Sequence, residues 1–324
     1  CNRLGIDTNY RSIFDALGGG CPVSVWDRAA PLFQAMTPTP APQDEQSAGP
    51  VLPGILVDPE WLEAHLDDRL VRIADLRDQE AYQGEHIPGA VQLDLEDIGE
   101  IRDGCENAVL RPLDFWRAMA RIGVSSGDTV VAYDDHWGLP SARLIWALHY
   151  YGEKAVAVLN GGWDRWQEEG RPTAGVRGSD GAAPTNSVGP EPEGRNDFEA
   201  RTNPEVAADF EWLAGRVARE AVILLDTRSH TEFDQGHLPG AKSWDWFNAV
   251  PVGSWECSRD PEALRSELAG LGVHPSDEVV VYCRSGMRAA HTYVVLRHAG
   301  FPRVRLYDGS WQEWSAKGAP SHHG

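Results

Sequence analysis

Short apolar runs and longer amphipathic stretches take turns along this chain. In the C-terminal half the runs are AVILLD (221–226), EVVVYC (278–283) and VRLY (304–307); in the N-terminal half they are VRIADL (71–76) and TVVAYD (129–134). All are short and rich in β-branched residues, which predicts buried strands. Helix starts are marked by an acidic or amide residue followed by proline, the arrangement of an N-cap before a first-turn proline. Asp58-Pro59, Asn203-Pro204 and Asp260-Pro261 fit it, with the second helix expected to run to about Arg219. Residues 288–299 and the stretch SWQEWSAKG (310–318) read as further helices. Strands that alternate with helices predict an α/β fold, a parallel sheet with helices on both faces.

The pattern occurs twice. DLRDQEAYQGEHIPGA (75–90) and DTRSHTEFDQGHLPGA (226–241) match at the Asp, Arg, aromatic, His, Pro, Gly and Ala positions. Downstream, TVVAYDD (129–135) pairs with EVVVYCR (278–284), and LNGGWDRW (159–166) with LYDGSWQEW (306–314). Shared order and spacing imply a duplicated domain. The copies are expected over 51–170 and 201–324, joined by a linker at 171–200 that is rich in Gly, Pro, Ser and Asn. Residues 1–50 read as a disordered or non-native extension. Little periodicity is visible before Met36, which opens the run TPTPAPQDEQSAGP and is a candidate natural start. A lipid-modified Cys1 is the less favoured reading of that terminus.

Charge narrows the function. A net charge of -20 and a pI near 4.9 disfavour nucleic-acid binding. No window approaches the roughly 18 consecutive apolar residues of a membrane span, so no membrane partner is expected. An anionic substrate would need a local positive site. The five cysteines, at 1, 21, 105, 257 and 283, are odd in number, widely spaced and without a CxxC pair. This argues against a disulfide framework and a zinc site, and for a reducing cytoplasm. Asp134-Asp135 lacks a partner at ligand spacing, so neither metal nor cofactor is implied.

One place supplies the positive site. Cys283 ends an apolar strand, and CRSGMR (283–288) turns into a helix. Ligands of open α/β sheets gather beyond the carboxyl ends of the strands. A strand-to-helix turn aims backbone N–H groups inward, and the helix start adds positive potential. Arg284 and Arg288 add full charges, while Ser285 and Gly286 permit a tight curve. Such surroundings can bring a cysteine to a pKa of about 3.5–7.5, making Cys283 a candidate nucleophile. On the loop alone, a buried inert cysteine stays open as the alternative.

HIPGA (86–90), HLPGA (237–241), YDDHWGLPSAR (133–143), NGGWDRW (160–166), CRSGMRA (283–289) and YDGSWQEW (307–314), in this order, resemble the two-domain rhodaneses over about residues 55–320. This family includes thiosulfate and 3-mercaptopyruvate sulfurtransferases. The resemblance implies tandem rhodanese-like domains and a double displacement in which Cys283 takes sulfur from a donor as a persulfide and gives it to cyanide or a thiol. It implies substrate binding by Arg284, Ser285, Gly286, Met287 and Arg288, with Asp226 and Arg228 bracing the loop. The ring from Cys283 to Arg288 is one residue shorter than that of protein tyrosine phosphatases, which suits sulfur over phosphate. Arg284, where mercaptopyruvate enzymes usually carry Gly, favours thiosulfate. Glu232, where an Arg is common, weakens the mercaptopyruvate reading further, although Met287-Arg288 departs from the animal pattern of either. A sulfur carrier that serves a protein acceptor is the other alternative, ahead of a regulatory module. Asp134 stands where the second copy has Cys283, so the first copy is expected to be catalytically empty and to wall the cleft, with Trp137 and Arg143 as candidates. His86 and His237 read as turn residues. Asp308, Gly309 and Trp311 read as sheet closure, and Trp163, Trp166, Trp311 and Trp314 as core.

Overall fold

The computed structural model describes residues 48–175, 200–217, 219 and 222–323. Residues 1–47 and most of the expected linker lie outside them. In the first copy the elements are β1 (Leu56–Val57), α1 (Pro59–Glu63), β2 (Val71–Asp75), α2 (Gln79–Gly84), β3 (Ala90–Gln92), β4 (Gly99–Arg102), β5 (Cys105–Val109), α3 (Pro112–Arg121), β6 (Thr129–Tyr133), α4 (Leu139–Tyr150), β7 (Val156–Leu159) and α5 (Gly162–Glu168). The second has β8 (Ala207–Ala208), α6 (Phe210–Val217), β9 (Ile223–Asp226), α7 (His230–Asp234), β10 (Lys242–Ser243), α8 (Pro261–Gly270), β11 (Val279–Tyr282), α9 (Met287–His298), β12 (Val304–Tyr307) and α10 (Ser310–Ala316).

Each copy forms a five-stranded sheet with the same strand order, β1-β7-β6-β2-β3 and β8-β12-β11-β9-β10. Every pairing within these two sheets is parallel. Central strands β6 and β11 are buried along their whole length, as expected of strands covered on both faces. The antiparallel hairpin β4–β5 belongs to the first copy alone among the described residues. Helices α4 and α9 pack along each other. Ser141–Leu148 and Ala289–Leu296 are buried without a polar face, because each helix has its own sheet on one side and the other copy on the other. Among the described residues no helix is long and apolar enough to cross a membrane.

One expected element is corrected. Asn203-Pro204 does not start a helix. The Asn203 side chain accepts from the Glu205 N–H at 3.0 Å, closing a turn. The chain then adds β8 to the sheet edge beside β12. The helix begins at Phe210, with Asp209 accepting from the Trp212 N–H at 2.8 Å. An N-cap side chain that satisfies an early helical N–H outweighs the proline signal here.

Two buried ion pairs tie the strand ends to the turns that follow. Arg228 Nε donates to Asp226 Oδ1 at 2.9 Å, and its Nη2 reaches Asp226 Oδ2 and the Gly236 carbonyl, each at 2.6 Å. Arg77 repeats this with Asp75 and the Glu85 carbonyl. Burial lowers the pKa of both guanidiniums, but the bonds to the carboxylates outweigh it and leave them raised. The neighbouring His86 and His237 bond through Nδ1 to the carbonyls of Tyr82 and Phe233 and stack on those rings, which makes them turn residues. Removing one partner of such a buried pair strands a charge, at a cost of about 3–5 kcal/mol. Arg228→Met and Arg77→Met should each lower unfolding free energy by about that amount in urea titrations; a loss under about 1 kcal/mol would contradict this bracing.

Candidate active site

Strand β11 delivers Cys283 to the carboxyl edge of its sheet, and α9 starts four residues later. Cys283 is 1% exposed. The Gly286 N–H points back at Cys283 Sγ, at 3.2 Å. Gly286 has φ of +88°, and a side chain there would start 3.0 Å from Arg143 Nη1 and 3.2 Å from Asp308 Oδ1. Positive φ and this close approach both select glycine. The backbone of Cys283 is fixed from the adjoining strand end. Its N–H donates to Ser310 Oγ at 3.2 Å, and its carbonyl accepts from the Trp311 N–H at 3.0 Å.

The first copy shows what this kind of loop does with an anion. Asp134 lies at the same strand end and is buried. Its Oδ1 accepts from the N–H groups of His136 and Gly138 at 2.7 and 2.9 Å, and its Oδ2 from that of Ser141 at 2.9 Å. Burial raises the Asp134 pKa, against these amide bonds, which pull it down. The loop therefore carries its own carboxylate in its ring of amides and has no thiol.

Each copy covers the other's loop. The β4–β5 hairpin lies over the Cys283 loop. Asn107 Nδ2 donates to Ser285 Oγ at 3.0 Å, Glu106 sits 3.4 Å from Arg284, and the Val109 N–H donates to Asp308 Oδ2 at 2.9 Å. In return, segment 255–258 lies over the Asp134 loop, with the Cys257 N–H donating to Asn160 Oδ1 at 3.0 Å. Burial pushes the Cys257 thiol up to about 12, which leaves it inert.

The loop arginines differ in availability. Arg284 is 58% exposed and has only the long contact to Glu106. Arg288 is held bidentately by Glu232, at 2.7 and 2.9 Å. Its pKa is lowered by burial but raised overall by Glu232 and by the nearby Cys283. The bonds from Arg288 hold the Glu232 carboxyl down at about 2. The free positive charge expected at Arg288 is thus largely spent on Glu232. Glu232 also closes the capping box of α7 with Ser229.

Cys283, Ser285, Gly286 and the start of α9 are brought together as expected, and Asp226 and Arg228 lie at the end of the next strand, β9. Arg143 reaches the loop, whereas Trp137 packs edge-on against Phe247. Trp163, Trp166 and Trp314 are buried as core. Asn107, Glu106, Ser310 and the orientation of Asp308 were not legible as site features. Only the alignment of NGG (160–162) with DGS (308–310) hints at Ser310, whose φ of +51° matches +54° at Gly162.

Residues 58–169 and 209–317 each match the model of the rhodanese-like domain. The sulfur carrier protein TtuD of Thermus thermophilus is 32% identical over 283 residues, covering 81% of this chain and 94% of that protein. A thiosulfate sulfurtransferase of Corynebacterium glutamicum is 32% identical over 295 residues, 85% of this chain and 91% of its own length. The crystal structure of SseA, a 3-mercaptopyruvate sulfotransferase of Escherichia coli, superposes with a TM-score of 0.67 at 28% identity, covering 80% of this chain and 99% of that one.

The Glu232–Arg288 pair has a signature in acid. A carboxyl held at about 2, against an ordinary 4.5, stabilises the fold above its ordinary value and loses that contribution as pH falls through about 2. Both side chains are partly solvated, so screening reduces the effect to about 1 kcal/mol. Between about pH 5 and pH 2, wild type should lose about 1 kcal/mol more stability than Glu232→Gln; equal losses would show that the pair contributes nothing.

Proposed function

This chain belongs to the rhodanese family of sulfurtransferases, and from that premise we propose that it moves sulfane sulfur from thiosulfate to a thiophilic acceptor through a persulfide on Cys283. The observation that carries this reading is a buried cysteine whose sulfur accepts the Gly286 N–H and interacts with the Arg288 guanidinium, with the exposed Arg284 next to it in the loop.

The Cys283 thiolate attacks the outer sulfur of thiosulfate. The new bond joins Sγ to that sulfur, the sulfur–sulfur bond of thiosulfate breaks, and sulfite leaves with the electron pair. The terminal sulfur of the persulfide is anionic. The loop amides from Arg284 to Arg288 stabilise it as an oxyanion hole stabilises a developing charge. Cyanide or a thiol then attacks the terminal sulfur, carries it away and returns the Cys283 thiolate. Ser285, Gly286, Met287 and Arg288 shape this pocket, while Asp226 and Arg228 keep the strand end rigid beneath it. The first copy has no sulfur nucleophile in its loop and serves as the wall of the site.

Arg284 supports thiosulfate as the donor, because a dianion gains from an accessible charge that the Glu232-bound Arg288 supplies less well. The likeness to a Thermus thermophilus protein named as a sulfur carrier supports a second reading, in which the acceptor is a protein. The free thiols Cys105, Cys257 and Cys283 support a reducing cytoplasm as the setting.

After incubation with thiosulfate, wild type should gain the mass of one sulfur atom per chain and Cys283→Ser should gain none; an equal gain in the variant would overturn the assignment. Arg284→Gly should lose about tenfold in thiosulfate kcat/KM, a transition-state loss of about 1.4 kcal/mol, with no equal loss for 3-mercaptopyruvate. Unchanged thiosulfate kinetics would remove thiosulfate as the preferred donor.

A further inference from the structure

Arg143 is the least expected residue around the Cys283 loop. It projects from α4 of the first copy and is 1% exposed. Its Nη2 donates to the Asn107 carbonyl and lies 2.7 Å from Asp308 Oδ1, and its guanidinium stacks over Trp146 with 4.7 Å to the ring centroid. Nε and Nη1 find no acceptor among the described residues. Nη1 is the atom that stands 3.0 Å from the place where a Gly286 side chain would begin.

The matching residue of α9 shows that packing does not demand a cation there. His291 holds the same helical position and crosses in the opposite direction, toward the Asp134 loop. Its Nε2 bonds to the carbonyls of Trp137 and Cys257 at 3.1 and 3.0 Å. Burial holds its pKa at about 4, so the ring is neutral. The loop already filled by a carboxylate faces a neutral ring; the Cys283 loop faces a guanidinium whose Nη1–H is unused among the described residues. Unsatisfied donors on a buried cation are costly, and a partner that arrives during function is one way such groups persist.

We propose that Nη1–H of Arg143 forms an anion subsite, contributed by the first copy, for the negatively charged end of the molecule that reacts at Cys283. Its ligand class is a small sulfonate, sulfite or carboxylate group. Asp308 holds the guanidinium from the side of Nη2, and Nη1 faces Gly286 of the Cys283 loop, where Asp308 Oδ1 also lies close. The inference rests on Cys283 being the nucleophile, but not on which donor is used.

The test compares alkylation of Cys283 by iodoacetate, which is anionic, with alkylation by iodoacetamide, which is neutral and of similar size. In each reaction the thiolate forms a bond to carbon and iodide leaves. Arg143→Met should lower the iodoacetate-to-iodoacetamide rate ratio about tenfold, whereas Arg143→Lys, which keeps the charge, should stay within about threefold of wild type. Arg143→Gln replaces the methionine variant if that fails to fold, since it keeps a donor for the Asn107 carbonyl. If both rates fall together, or neither changes, Arg143 is a structural residue, its Nη1–H is met by water, and the subsite is refuted. If wild-type Cys283 reacts with neither reagent, the nucleophile assignment fails and takes the subsite with it.

Discussion

Backbone N–H groups that converge on one side-chain acceptor are the interaction around which both halves are built. In the first copy the amides of His136, Gly138 and Ser141 meet the Asp134 carboxylate. In the second, the Gly286 amide meets Cys283 Sγ. Hydrogen bonds to a charged group contribute about 1.5–3 kcal/mol each, so a few of them offset much of the cost of burying one charge. The sheet supplies the geometry: a parallel strand ends, the chain turns sharply, and a helix begins with its free N–H groups facing the turn. The duplication gives a comparison within one molecule. One ring of amides is permanently occupied by the protein's own carboxylate. The other holds the Cys283 sulfur, the atom on which we propose the persulfide forms.

The two halves depend on each other at these loops. The hairpin β4–β5 covers Cys283, segment 255–258 covers Asp134, and α4 packs on α9 with Arg143 and His291 crossing in opposite directions. A first copy whose loop lacks a thiol is therefore no vestige. It helps keep the Cys283 sulfur out of solvent, which strengthens every dipole aimed at that atom. Cys283 is as deeply buried as the hydrophobic core, so a reagent must displace or pass the edge that Glu106 and Asn107 form over Arg284 and Ser285.

Much of this was legible in the sequence because it is local or repeated. Apolar runs marked the central strands, and the paired HIPGA and HLPGA segments fixed the duplication. The CRSGMR turn alone singles out Cys283. The start of α6 differs from the expectation because Asn203-Pro204 imitates an N-cap with proline, whereas Asp209 supplies the cap. The β4–β5 hairpin has no partner in the second copy, so the repeat could not reveal it. Long-range partners were the hardest to see. Glu232 registered as the absence of an arginine, whereas it is a bidentate partner of Arg288. Nothing along the chain links Arg143 to Asp308 or Gly286, since α4 and α9 must first pack before those atoms meet.

The amide ring can be observed directly by recording backbone N–H resonances before and after thiosulfate is added. Loading should shift the amides of Arg284 to Arg288 toward values typical of strong hydrogen bonding and leave those of His136, Gly138 and Ser141 unmoved, because their acceptor does not change. Sulfur transferred to the protein with no shift in the second loop, or with an equal shift in the first, would contradict an amide ring as the feature that holds it.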